Sequence, residues 1–254
     1  MEEGGRGMFR LLKCEYLKLK RSKFLLVGGL GTLIVPFFVI LRGVMDASAK
    51  PGADFSLFSL YDSAIMFLML LFAPLVLTVI GVWIINREYA EGTLKNILAI
   101  PVSRTAFLLG KLLFFAIFVL VFMLLSWLEI LVLAYVCSFF LPIEDLTILS
   151  ALYFLVKMLY GGAMVFATQI PFLYLAVRTK NFLSPLIAVS AVSLFNVVLS
   201  NSPIAGFYPW SASYLLVCGR LQTKGSLKGI SIAMILGMCL WGIWASIARI
   251  RKEE

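Results

Sequence analysis

The chain has 254 residues, of which 62% are hydrophobic and 14% charged, with a net charge of +9 and no histidine. A soluble domain of this length is nearer one-half apolar, so the composition excludes one. The missing histidine excludes His-ligated metal centres, haem held through His and intramembrane proteolysis with a histidine base.

From Met8 onward, Phe9, Leu12, Tyr16 and Leu19 recur at helical spacing, while Arg10, Lys13, Lys18 and Arg21 take the opposite face. This predicts an interfacial helix over 8–22, with its apolar stripe at the acyl boundary and its cations among headgroups. Six charge-free stretches follow: Phe24–Leu41, Ser63–Ile85, Leu112–Leu128, Met158–Val177, Phe182–Leu199 and Ile230–Ala248. Each is close to the length that crosses about 30 Å of hydrocarbon at about 1.5 Å per residue. Ten-residue alternation of a membrane barrel is absent, and backbone groups in lipid must be satisfied within a segment, so all-α packing is expected. The expected spans are 24–41, 63–85, 107–140, 151–177, 182–200 and 229–248, in a single transmembrane domain over 1–254. A signal peptide is the rival reading of the first, because Ala47-Ser48-Ala49 has the small residues of a cleavage site. The longer apolar run, and Arg42 and Asp46 before those residues, favour a retained helix.

The loop over 42–61 is polar, with a turn at Lys50-Pro51-Gly52. After the second span, residues 91–101 read as a short amphipathic helix bounded by Gly92 and Pro101. Leu94, Ile97, Leu98 and Ile100 form its apolar face, while Glu91, Lys95 and Asn96 face away. Such an element is either a plain surface connector or an edge offered to a docked protein. Gly110-Lys111 is no P-loop, since leucine follows and no suitable glycine precedes, so the chain cannot cradle ATP itself.

Glu129 is the one acid expected in or near a span, and Lys157 begins the next at similar height. They either pair and fix span three against span four, or Glu129 meets a cationic cargo, or both lie among headgroups. Thr78, Ser193 and Asn196 are polar positions within spans that could line a subunit interface or cargo path. Residues 203–226 are too apolar for a plain loop, and Phe207-Tyr208-Pro209-Trp210 predicts a re-entrant or surface-lying segment. Tyr208 and Trp210 would sit at the headgroups and touch cargo, or act only as anchors. Cysteines 14, 137, 218 and 239 lack metal or redox spacing. Cys137 and Cys218 fall on one side, as either a disulfide or two packed thiols.

Lys and Arg bias sets the orientation. With both termini in the cytoplasm, sixteen of the 22 basic residues lie inside, in the segments before span one, around 87–111, at 178–180 and at 249–252. The positive charge then anchors the chain to anionic lipid and implies no nucleic-acid partner.

The string Arg87-Glu88-x-x-Glu91-Gly92-Thr93-Leu94-Lys95-x-x-Leu98-x-x-Pro101-Val-Ser103-Arg104, followed by Gly110-Lys111, resembles the corresponding loop of ABC-2-type transporter permeases. Among them it is similar to the small permeases of lantibiotic immunity and bacitracin resistance in Gram-positive bacteria. Glu15-Tyr-x-Lys18-x-Lys20-Arg21-Ser22-Lys23 and Tyr208-Pro209-Trp210-Ser211 extend the resemblance over most of the chain. It implies an ABC-2 (type V exporter-like) fold of six spans, with an N-terminal interfacial helix and a cytoplasmic coupling helix over 91–101. It also implies a non-catalytic subunit of the bacterial plasma membrane, working with a second permease copy or a homologous permease. Two separate ATPase subunits would hold ATP and Mg, and no cofactor, metal or catalytic residue falls to this chain. Coupling would fall to Glu88, Glu91, Gly92, Thr93, Leu94, Lys95, Pro101 and Arg104. The implied cargo is an amphiphilic peptide antibiotic; an ATP-independent channel or carrier, and an ABC-2 permease for another amphiphile or lipid, are the alternatives.

Overall fold

The computed structural model describes residues 12–49, 56–90, 104–221 and 228–252, and everything below refers to these. They form α1 over 12–20, α2 (Phe24–Ala49), α3 (Leu57–Phe67), a π-helical turn (Leu68–Phe72), α4 (Ala73–Ala90), α5 (Arg104–Cys137) and α6 (Ile148–Thr179). The chain continues through α7 (Leu183–Leu199), a 3-10 turn (Pro203–Phe207), α8 (Pro209–Cys218) and α9 (Lys228–Arg251). No strand occurs among the described residues; one isolated bridge joins Ser56 to Glu144.

Five helical stretches are long and apolar enough to cross a membrane: Phe24–Ser48, Leu57–Arg87, Thr105–Cys137, Ile148–Thr179 and Lys228–Arg251. Helix α7 is apolar but only 17 residues long, about 25 Å at about 1.5 Å per residue. The helices generally overrun the charge-free stretches. Charge does not stop a helix whose backbone bonds are complete, and at the end of α2 the charges Arg42 and Asp46 pair with each other at 3.5 Å on an exposed face. Asp62, expected just before a span, lies inside α3, because Ser56 caps the helix six residues earlier by accepting from Ser59 N.

Helix α6 is the hub of the bundle, packing against α4, α5, α7, α8 and α9, and α2 lies on α5. Glycines permit the closest approaches. A Cβ on Gly81 of α4 would stand 2.6 Å from Leu173 Cδ2 of α6, and one on Gly242 of α9 would stand 2.7 Å from Ile170 Cγ2. The outward face of α2, with Leu26, Leu30, Phe37 and Phe38 all exposed, is the surface a bilayer would cover.

Candidate functional site

Helix α4 delivers the chain to residues 91–103, so its last turns join those residues to the bundle. Three contacts tie this end to the rest of the bundle. Lys111 of α5, 3% exposed, donates from Nζ to Ile84 O and stands 5.0 Å from the Phe107 ring. A buried ammonium is tolerable only with such partners, a carbonyl and an aromatic face. Asn86 Nδ2 donates to Asn181 O at 3.1 Å, binding α4 to the turn between α6 and α7. Lys180 makes that turn by closing α6 in the left-handed region at φ 50, and Asn181 Oδ1 then accepts from Leu183 N to begin α7. Trp83 stacks on Phe24 of α2 at 4.9 Å between ring centroids and carries the Arg87 guanidinium 5.1 Å above it. A displacement entering at α4 is therefore shared with α2, α5 and the α6–α7 turn.

Of the expected coupling residues, Glu91, Gly92, Thr93, Leu94, Lys95 and Pro101 lie outside the described residues. Glu88 falls in the last turn of α4, and Arg104 opens α5. The residues of the loop's base were missed from sequence. Lys111 carried a signal, a cation four residues into an expected span, whereas Trp83, Asn86 and Asn181 carried none.

The second feature is a polar seam inside the bundle, where α4 meets α6 and α7. Thr78 Oγ1 donates to Gln169 Oε1 at 2.6 Å, joining α4 to α6. Pro74 has no N–H and so leaves Leu70 O without its helical donor; Asn196 Nδ2 of α7 supplies one at 3.1 Å. The chain widens into the π-helical turn at that point. Ser193 Oγ, Gln169 Nε2 and Asn196 Oδ1 are buried with no hydrogen-bond partner. Thr78, Ser193 and Asn196 are thus brought to one seam, but all are at most 1% exposed, so in this conformation they line no open path.

Tyr208 and Trp210 are not at a free surface. Trp210 Nε1 donates to Thr168 O at 3.2 Å, roughly 30 Å along α6 from its start at about 1.5 Å per residue. Tyr208 Oη donates to Val192 O of α7 at 3.2 Å, Ser211 Oγ to Ala205 O at 2.7 Å and Ser231 Oγ of α9 to Gly206 O at 2.8 Å. The 3-10 turn and α8 thus pack against α6, α7 and α9. The polar handles of both rings are used on backbone carbonyls of the bundle.

The expected Glu129–Lys157 pair does not form. Lys157 Nζ bonds Asp62 Oδ1 at 2.7 Å, with Arg220 3.7 Å from the other oxygen. Asp62 stands closer because α3 begins early enough to carry it beside α6. Glu129 instead meets Thr32 Oγ1 at 2.9 Å. Cys137 and Cys218 are both free thiols, as are the other two cysteines.

The family described as ABC-2 family transporter protein matches residues 11–200. A bacitracin transport permease protein of Bacillus licheniformis is 26% identical over 181 residues, which cover 70% of this chain and 85% of that protein. The matched range contains the loop, its base and the polar seam.

Proposed function

Because the chain belongs to the ABC-2 transporter family, as a membrane permease of an ABC transporter, we propose that it drives export of an amphiphilic peptide antibiotic. It works as a dimer, with an identical or homologous permease, of subunits with six spans, α7 crossing as the shortest. Two separate ATPase subunits bind ATP and Mg and dock on the helix over 91–101. Nucleotide binding favours one packing of the bundle over another, and the loop carries that preference inward. The observation that carries this reading is the base of the loop, where Lys111, Asn86 and Trp83 bind α4 to three other parts of the bundle. The relative's bacitracin transport supports the cargo class, as do two apolar grooves beside the start of α6 that share Leu152.

The test is docking. Glu88→Ala and Leu94→Arg are expected to leave the chain in the membrane and to reduce co-purification of the ATPase about tenfold, equivalent to about 1.4 kcal/mol of binding. Undiminished co-purification with both variants would sink the proposal.

Both termini face the cytoplasm of a bacterial plasma membrane in this reading. On a background without the four natural cysteines, an impermeant thiol reagent added outside intact cells is expected to label Glu144→Cys, at an exposed position, and to spare Thr93→Cys. External labelling of Thr93→Cys reverses the orientation.

A further inference from the structure

The apolar stretch Leu57–Arg87 is two helices with a break between them. Its first piece, α3, is held by Leu57 N donating to Glu144 O at 3.0 Å, by Tyr61 Oη donating to Trp127 O at 2.9 Å and by the ion pair of Asp62 with Lys157. Its second piece, α4, is held at the far end by Lys111, by Asn181 and by the Phe24 ring. Each piece has its own anchors, and residues 68–74 join them. Here the helical ladder fails twice. Ala73 N is spent on Leu68 O, one residue farther back than an α-helix would take it, and Pro74 has no N–H to give. Met69 O and Leu70 O therefore both lose the amide that an α-helix would offer them.

We propose that the π-helical turn with Pro74 is a hinge between α3 and α4, and that Asn196 of α7 is the latch that holds it in the conformation described. The latch is one hydrogen bond, from Asn196 Nδ2 to Leu70 O at 3.1 Å, and it reaches the break from another helix. Backbone bonds are what stiffen a helix, so a stretch where two carbonyls have lost theirs bends at small cost once the side-chain donor leaves. Asn196 Oδ1, and Ser193 Oγ one turn before it, are buried without hydrogen-bond partners. The polar grip of α7 on the joint is that one amide.

The joint also has room to move. Leu68 and Met69 line a void together with Met123 of α5 and with Met158 and Gly161 of α6, and it is too narrow to admit a water molecule. Close-packed interiors hold few such gaps, and three of the walls here are methionines, whose unbranched chains refill irregular space readily. Gly161 marks the near approach of α6: a β-carbon there would stand 3.3 Å from Met69 Sδ. Helix α7 thus holds the turn by one bond while the α6 side offers space, which gives the hinge a direction, toward Gly161. The device belongs to the span itself and depends on neither cargo nor ATPase.

Disulfide trapping reads the motion in the full chain in membranes, on a background without the four natural cysteines. Met69→Cys and Gly161→Cys carry the trap. A cysteine sulfur lies one bond nearer the backbone than that of Met69, so the two segments must draw together before a membrane-permeable oxidant can join them. Adding Asn196→Leu is expected to speed bridging about tenfold, the scale that one lost hydrogen bond sets. Adding Pro74→Ala as well is expected to bring the rate back, because residue 74 then has an N–H for Leu70 O and the latch becomes redundant. Ser193→Ala removes an unpartnered hydroxyl from the same face of α7 and is expected to leave the rate unchanged. Should the cysteine pair not accumulate, unfolding midpoints of Pro74→Ala, Asn196→Leu and their double variant test the same coupling in the otherwise natural chain: Asn196→Leu is expected to cost less when Pro74→Ala is present. A bridging rate indifferent to Asn196 or matched by Ser193→Ala, acceleration that persists with Pro74→Ala, or equal midpoint losses in the two backgrounds overturns the proposal.

Discussion

A leucine in place of Gly81 is expected to part α4 from α6 and to lower the stability of the solubilised chain by about 3 kcal/mol, the upper end of the overpacking range. The β-carbon alone would lie 2.6 Å from Leu173 Cδ2 and 3.0 Å from Phe115 Cε2. Neither neighbour has anywhere to go, since Leu173 and Phe115 are each 1% exposed and belong to the same core. Alanine is the milder probe: its gain in helix propensity over glycine, about 1 kcal/mol, offsets part of the clash. Leucine adds three further carbons into the space that Leu173 and Phe115 fill. Thermal unfolding followed by size-exclusion chromatography is expected to rank wild type, then alanine, then leucine. A leucine variant that melts with wild type would mean that α4 and α6 do not approach this closely. The loss should also reach transport, because Gly81 lies one turn before the residues that tie α4 to the base of the loop.

Much of this arrangement could be read from the order of residues, and the reasons for the rest are specific. Apolar runs bounded by charges place the long helices, because burying charge in hydrocarbon costs several kcal/mol and the sequence must avoid it. The same rule misplaces their ends. Asp62 looks like a boundary, yet it is an internal residue of α3 whose charge is matched by Lys157, 95 positions later. Thr32 and Glu129 are 97 positions apart, and Thr78 and Gln169 are 91. Such pairings depend on which helices are neighbours, and one-dimensional periodicity carries no information about that. Pro74 is the exception in principle: a proline inside a span announces an unserved carbonyl four residues earlier, and only the identity of its donor, Asn196, was hidden. Tyr208 and Trp210 are ambiguous in sequence for a related reason. An aromatic ring with a polar handle suits a headgroup layer, but it equally suits a buried position where a helix offers a carbonyl.

That last distinction sets the other large effect, on Trp210. Its ring lies 5.7 Å from Phe172 of α6 and 5.2 Å from Tyr208, and its indole nitrogen holds Thr168 O. Removal of a fully buried tryptophan costs about 3–5 kcal/mol, and because this one is only partly buried, Trp210→Ala is expected to cost about 2–3 kcal/mol. Trp210→Phe retains most of the ring contact and loses the hydrogen bond, about 1 kcal/mol. The segment would then serve cargo handling only through its seat in the bundle. Stability and antibiotic protection should fall together, steeply in the alanine variant and slightly in the phenylalanine one. A surface anchor or a pure cargo contact predicts something else: an alanine variant with wild-type unfolding, whether or not it still protects. Unfolding midpoints of the two variants, measured beside protection in cells, decide between these outcomes. An unchanged midpoint for Trp210→Ala would remove the segment over 203–218 from the core.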